Sequence, residues 1–356
     1  MWVASMAPRK RDWRATGSAA VQLHCGWTPY LEQAGWVCTR KRAMCAPRLW
    51  REESKMSAQL RKRAYRMSEL EQFQSCPRLW QYKYLELLEP ARFSGLPRPV
   101  GTAVHAGVAA IWEGRSKAEA LGAAEAAYEE ALAHFDRGML TEEDRTKIAD
   151  GLMQVQECVR YYPYGPGDVD EVVAVEKELE AELSPGVVLR GRVDRLVRHN
   201  GMLWVHDTKT TGLDIQTVSK LFGLRAQFAG YVMLATHAFP GEAVAGLMVD
   251  FIKKPRVNRR RDGSFSSLGE TAHAREVYGL TGAKAEEFLV WVDQLEESIQ
   301  EVLEGTRKAL KHAGACMVYN SLCPFFDLCN NPQWDERMKS VLFRKREPRG
   351  EEVEGE

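Results

Sequence analysis

The sequence predicts an α/β domain with a mixed central sheet flanked by helices. Three observations predict it. Runs rich in β-branched and apolar residues follow one another at 171–183, 187–199 and 202–210, with His199-Asn200-Gly201 as a turn between the last two. A helical pattern over 214–238 leads to another strand at 243–252. Ahead of these lies a long stretch of helical periodicity, closed by the breaker Tyr162-Pro163-Tyr164-Gly165-Pro166-Gly167.

Residues 1–62 show neither period. Over 1–66, fourteen Lys and Arg face four Asp and Glu, so this is expected to be a basic, disordered extension. Cys25, Cys38 and Cys45 with His24 fit no paired zinc knuckle. Met56 or Met67 would each begin a chain containing every motif below, and a chain starting at Met67 is expected to keep full activity.

From Met67 the pattern is orderly. Ser68 is the expected N-cap, with Glu71 at N3 closing a capping box. Aromatics recur at helical spacing over 75–84. His105 is expected to begin an Ala-rich helix through Trp112 after a Gly101-Thr102 opening. Amphipathic helices at 117–135 and 142–162 complete a helical insertion at 101–165. Past the sheet, a final helix spans 285–303, with Phe288, Val290, Val292, Leu295 and Ile299 partly on one stripe. The domain is expected to cover 63–335, and the charged segment 336–356 reads as a tail.

The formal net charge is zero, so no global field draws the chain to nucleic acid or membrane. No apolar run approaches the roughly 20 residues that span a bilayer. Without an apolar signal core, the expected setting is cytoplasmic and reducing. The eight cysteines then suggest metal or cluster ligation, or buried thiols, before disulfides. The absence of G-x-x-x-x-G-K-[ST] excludes a helicase motor.

Asp207 and Lys209, two apart on a strand, share a face. Asp194 reaches the same patch if the two hairpin strands pair antiparallel, at the end of a hairpin beside a sheet edge. Two carboxylates suit a hard cation such as Mg²⁺, which acidifies a bound water and stabilises charge on a phosphate. A nearby ammonium can position that water or neutralise the phosphoryl transition state. Read alone, the same residues make a surface salt bridge. Gln227 and Tyr231, four apart, lie on one helix face and alone would be a polar–aromatic surface pair. Lys253, Lys254, Arg256, Arg259, Arg260 and Arg261 place six basic residues in nine, which reads equally as a solvated loop and as a phosphate-backbone contact.

Glu176, Gly191-Arg192-Val193-Asp194 and Asp207-Thr208-Lys209 resemble the core of the PD-(D/E)XK nuclease superfamily. Gly101-Thr102-Ala103-Val104-His105 upstream and Gln227 with Tyr231 downstream resemble its RecB-type branch, in that family's order over residues 68–329. The resemblance implies a restriction-endonuclease-like core. It implies His105, Asp194 and Asp207 as ligands of Mg²⁺ or Mn²⁺, and Lys209 as the group assisting the attacking water. Gln227 and Tyr231 would orient DNA or the lysine, with Glu176 supporting the ligands from the preceding strand. The implied activity is exonucleolytic phosphodiester hydrolysis at DNA ends, single-stranded ones in particular. Recombination, repair or phage DNA processing is the expected setting, and a helicase or recombinase the expected partner.

Cys316, Cys323 and Cys329 are spaced C-x6-C-x5-C, and Cys76 lies 240 residues upstream of Cys316. Four thiolates suit a [4Fe–4S] cluster or a structural Zn²⁺. A lone distant cysteine with a terminal trio resembles the iron–sulfur staple of AddB-type and CRISPR-adaptation nucleases. Those show C-x2-C-x5-C, whereas here Asn320 fills the middle slot and Cys316 would replace it from a longer loop. Zinc and then four unliganded thiols are the alternatives for this C-terminal Cys clasp. Two rival functions remain: a catalytically inactive DNA-binding partner of a helicase, and a CRISPR-adaptation-type nuclease trimming spacer precursors. The presence of His105, Asp194, Asp207 and Lys209 argues against the first, and the C-x6-C spacing against the second.

Overall fold

The computed structural model describes residues 36–37, 46–47, 63–91, 97–133, 135, 137–318, 321–331 and 336–346. Chain contacts divide it into units 1–61 and 62–356. In the first, Trp36–Val37 pairs antiparallel with Ala46–Pro47. The expected disorder of 1–62, the Cys25, Cys38 and Cys45 question and the tail beyond residue 346 otherwise lie outside the described residues.

The second unit is α/β, with a mixed six-stranded sheet between two helical layers, as in a restriction-endonuclease-like core. Its strands are β1 (Arg63–Arg66), β2 (Glu171–Ser184), β3 (Val187–His199), β4 (Met202–Thr211), β5 (Val244–Lys253) and β6 (Ala272–Tyr278). Its main helices are α1 (Met67–Ser75), α2 (Pro97–Trp112), α3 (Lys117–Leu132), α4 (Glu142–Arg160), α5 (Ile215–Phe222), α6 (Ala226–Ala238) and α7 (Gly282–Leu303). Asn200 (φ 52°) and Gly201 (φ 72°) both take left-handed conformations, which a two-residue type I′ turn requires between β3 and β4.

β3 is the rail on which the site is built. β2 runs antiparallel along one of its edges. Its other edge is shared: β1 pairs parallel with Val187–Arg190, and β4 pairs antiparallel only as far as Arg195↔His206. Between these two ladders β3 and β4 part. β4 continues in parallel pairing with β5, reached through α5 and α6, and β5 pairs antiparallel with β6. The resulting order is β6-β5-β4-β3-β1, with β2 against β3.

Each face of the sheet buries one side of its strands. Leu203, Val205, Leu247, Val249 and Phe251 pack with Met67, Leu70 and Phe73 of α1, Phe228, Val232 and Leu234 of α6, and Phe288, Val292 and Ile299 of α7. Each such side chain contributes about 1.5–3 kcal/mol on burial. On the opposite face, Val100, Val104, Val108 and Trp112 of α2 pack with Tyr128, Val155, Val159, Val197 and Ile252. Capping boxes at Ser116/Glu119 and Thr141/Asp144 start α3 and α4.

Several sequence expectations are corrected. Ser68 and Glu71 form no capping box: α1 begins after Arg66 without a side-chain cap. Gly101 and Thr102 lie inside α2 rather than at its opening, because the helix starts at Pro97. The helix expected over 214–238 is two, broken at Gly223-Leu224-Arg225, with Asp214 capping the first. On α7 Val290 is half exposed, whereas Phe288, Val292 and Ile299 are buried. The basic segment after β5 is a short hairpin, Val257–Arg259 with Phe265–Leu268, rather than a loop.

Candidate active site at a strand fork

The fork between β3 and β4 carries the predicted carboxylates. Asp194 lies one residue beyond the last β3–β4 pair, and Asp207 one residue beyond it on the other strand. The site is therefore an internal seam of the sheet rather than a sheet edge, since β4 is flanked by both β3 and β5. The Thr208 amide, released from the β3 ladder, donates instead to Asp194 Oδ2 at 2.8 Å. Opposite Asp194 on β2, Glu176 takes a left-handed φ of 51°, a conformation that costs a non-glycine residue about 1–3 kcal/mol. The buried alternation of β3 changes phase around this point: Leu189 and Val193 share a core with Leu196, odd positions before and even after.

The structure brings the predicted cations to this fork. His105 Nδ1 of α2 lies 3.0 Å from Asp194 Oδ2, and Lys209 Nζ lies 2.8 Å from Asp207 Oδ2. Side-chain exposures of 27% for His105, 25% for Lys209, 13% for Asp194 and 3% for Asp207 show that solvent reaches the site past the two cations. Glu176 pairs with Arg192 at 2.9 Å. On α6, Gln227 Nε2 donates to Tyr231 OH at 3.0 Å, so the predicted pair sits on one helix face, and Tyr231 lies beside Lys209.

Burial shapes the charges. It favours protonation of Asp194, but His105, Arg195 and Lys209 hold that carboxyl well below the usual carboxylate range. Asp207 is raised by burial and by Asp194, against the pull of Lys209. Burial opposes the ammonium of Lys209, yet Asp207, Tyr231 and Asp194 keep it charged above the ordinary lysine range. For His105, burial is likewise outweighed by Asp194, and its pKa is raised. Burial and Asp194 raise Glu176, and burial pushes Tyr231 up to about 12. The two carboxylates thus have distinct environments, one lowered and one raised.

Among the described residues no three His, Cys, Asp or Glu side chains converge tightly enough to hold a metal ion as they stand. The donor set of His105, Asp194 and Asp207 nevertheless fits a hard divalent cation: two carboxylates from separate strands and one imidazole meet in a largely buried fork. Asp207 Oδ2 is buried and, beyond the 2.8 Å contact with Lys209 Nζ, has no hydrogen-bond partner among the described residues, so it retains lone pairs to offer.

Sequence reasoning missed three contributors. Glu71 is raised by burial, against the charges of Arg225 and Lys209 and a hydrogen bond from the Gln227 amide, so it sits near the site. Its place in a supposed capping box hid it. Thr208 is only the middle of D-x-K in the sequence, and Arg195, the residue after Asp194, carries no local signal. The basic run is not a uniform surface. Lys254 is lowered by burial near Cys158, Arg259 is ion-paired with Asp150, and Lys253 is half-buried at the end of β5. Arg256, Arg260 and Arg261 are exposed.

The four clasp cysteines lie near enough to sense one another's charges, without converging into a group tight enough to hold a metal as they stand. All are free thiols, with Cys76 buried at the start of a short helix and the others partly exposed. The His312 amide reaches Cys76 Sγ at 3.5 Å, and Cys323 N donates to Cys316 O at 2.8 Å. Burial raises Cys323 and Cys329, and each senses the charges of Cys76 and Cys316. Asn320 lies outside the described residues. An apolar lock accompanies the thiols: Phe325 stacks on Tyr82 and Phe343 at 5.4 and 5.1 Å, and Phe343–Lys345 pairs antiparallel with Leu88–Pro90.

Among the described residues no helix is long and apolar enough to cross a membrane. No curated protein matches the chain. The chain is similar to a solved structure from Eubacterium rectale named "Putative exonuclease", at 13% identity over 82% of this chain and 95% of that one, with a TM-score of 0.45. It is similar also to a solved structure named SSO0001, at 14% identity over 74% of this chain and 86% of that one, with a TM-score of 0.31. Residues 67–330, which hold the fork and the clasp cysteines, match the PD-(D/E)XK nuclease superfamily, and the chain belongs to that superfamily of phosphodiester hydrolases.

Proposed function

We propose that the protein is an Mg²⁺- or Mn²⁺-dependent exonuclease acting at DNA ends, of the RecB/AddB-like branch. The observation that carries this reading is the pairing of His105 with Asp194 and of Lys209 with Asp207 at one fork between strands. His105, Asp194 and Asp207 would hold the cation, which when bound neutralises charge on the scissile phosphate and acidifies the attacking water. Lys209 Nζ, kept charged by Asp207, orients that water and faces the negative charge that develops on the phosphate. Tyr231, tethered by Gln227, limits the space open to Lys209 and presents a hydroxyl to the entering strand. Glu176 and its partner Arg192 line the β2 side of the fork. Exposed Arg256, Arg260 and Arg261 suit contact with DNA phosphates.

Cys76, Cys316, Cys323 and Cys329 would hold a [4Fe–4S] cluster, with Zn²⁺ as the alternative. The four thiols supply donors that a metal would convert to thiolates, two of which, Cys323 and Cys329, are raised by burial. In this reading the cluster fastens the 310–331 segment to the first helices. Residues 63–335 form the nuclease domain, the segments before and after being a basic extension and a charged tail. A helicase or recombinase would deliver single-stranded ends during recombination, repair or phage DNA processing.

The test is incubation of anaerobically purified protein with end-labelled single- and double-stranded DNA in Mg²⁺, Mn²⁺ or EDTA. Metal-dependent release of labelled nucleotides or short oligonucleotides is the expected result. Binding without cleavage in either metal would leave a DNA-binding protein with an inactive site.

A further inference from the structure

Behind the fork lies a fully buried polar cluster. Arg195, His206, Thr208 and Asp250 are each 0–1% exposed. Arg195 and His206 face each other in the last rung before β3 and β4 part. Asp250 on β5 receives Arg275 Nε at 2.6 Å and Nη2 at 3.0 Å, sits 2.8 Å from His206 Nε2, and accepts from Tyr162 OH. Tyr162 OH in turn accepts from Trp112 Nε1 at 3.0 Å. Asp250 is thus satisfied by its own partners.

Arg195 is not balanced in that way. Its Nη2 donates to Thr208 Oγ1 at 2.6 Å and its guanidinium lies over the Trp112 ring at 5.2 Å. Its Nε is buried without a hydrogen bond. A buried guanidinium held by a neutral hydroxyl bears a desolvation cost that nearby negative charge must offset. The carboxylate tied to Arg195 through hydrogen bonds is Asp194, the adjacent residue. Thr208 links the two directly, because its side chain takes Arg195 while its amide donates to Asp194. It also lies between Asp207 and Lys209, so fixing Thr208 fixes the strand that carries both.

We propose that Arg195 is a positioning residue for the cation site, acting through Thr208 on the Asp194 carboxylate. The inference rests on the reading of Asp194 and Asp207 as ligands. Arg195 touches neither phosphate nor cation; it holds the released end of the β4 ladder so that both carboxylates keep their relative placement. Outer partners of this kind typically change metal affinity by roughly 10–100-fold.

The experiment compares full-length wild type with Thr208→Val and Arg195→Lys. Thr208→Val keeps β-branching and the backbone amide while removing Oγ1. Mn²⁺ binding is read from loss of the free-ion EPR signal, alongside the Mn²⁺ half-saturation of cleavage and melting without metal. Thr208→Val is expected to weaken Mn²⁺ binding about tenfold or more, with most turnover recovered by excess Mn²⁺, and Arg195→Lys to fall between it and wild type. Unchanged Mn²⁺ binding and half-saturation in both folded variants would overturn the inference, even if melting drops. If Arg195→Lys fails to fold, Thr208→Val alone decides. Wild-type protein whose Mn²⁺ binding is absent, or is indifferent to Asp194→Asn, overturns the underlying ligand reading and this one with it.

Discussion

Tyr231 lies where only a glycine at position 191 leaves room: a Cβ there would stand 2.9 Å from Tyr231 Cε1 and 2.9 Å from Leu234 Cδ1. The glycine that precedes the first carboxylate by three residues thus sets how closely α6 approaches β3. Gly191→Ala is expected to cost about 1–3 kcal/mol by overpacking and to push Tyr231 from its place beside Lys209. Thermal melts paired with cleavage rates check it. A variant with normal melting and normal turnover would show that this close approach has no bearing on activity.

Lys209→Ala should lower cleavage by about 10²–10⁴-fold while leaving DNA binding in place, because it removes the ammonium beside Asp207. Gel shift and single-turnover cleavage on the same DNA separate the two effects. Retained cleavage would remove Lys209 from the chemistry.

Stability should fall with acid in a window set by His206. Burial and then Arg195 depress its pKa from 6.5 to about 4, against the opposing pull of Asp250. The native state therefore excludes a proton that the unfolded chain accepts. This contribution is complete above pH 6.5 and is lost as pH falls toward 4. Between pH 7 and 5 the loss should be about 2 kcal/mol, read as a drop in the denaturant midpoint. His206→Gln should flatten that slope.

Shortened chains should differ according to whether they keep β1. A chain beginning at Met56 retains Tyr65, which is 1% exposed and accepts from Gln300 at 3.2 Å. A chain beginning at Met67 loses Tyr65, the four-residue pairing with β3 and the Arg63–Glu69 ion pair. Its stability is expected to drop by roughly 3–5 kcal/mol, the usual scale for removing a buried aromatic. Chemical denaturation of the two chains makes the comparison, and cleavage by the chain beginning at Met67 tests whether it keeps full activity.

The clasp makes its own prediction. Protein loaded with a [4Fe–4S] cluster should be brown, and Cys76→Ser should bleach it and lower the melting temperature. One equivalent of zinc in a colourless preparation would identify the alternative.

Much of this was legible in the sequence because strand alternation and type I′ turn chemistry are local. β3 and the start of β4 fall where periodicity placed them, and an i, i+2 spacing was enough to put Asp207 and Lys209 together. Long-range partners were not legible. Nothing local says that β1 pairs with β3, or that β4 leaves β3 after His206, so local pattern alone places the carboxylates beside an edge rather than at a seam. Leu224, 82% exposed, marks the break between α5 and α6, which a continuous apolar pattern concealed. Arg195 and Asp250 were invisible for the opposite reason. Charged residues in strands are expected to face solvent, and only tertiary packing shows that these are enclosed.

The point where the ladder stops has a consequence for register. Carried on by one rung, the β3–β4 pairing would set Asp194 squarely across from Asp207. Directly opposed strand neighbours have Cβ atoms about 4.5–5.5 Å apart, and like charges so placed repel. A further rung would therefore bring two acids face to face, a cost that the split ladder avoids. Neutralising either one, as in Asp194→Asn or Asp207→Asn, would lessen the repulsion that a further rung meets.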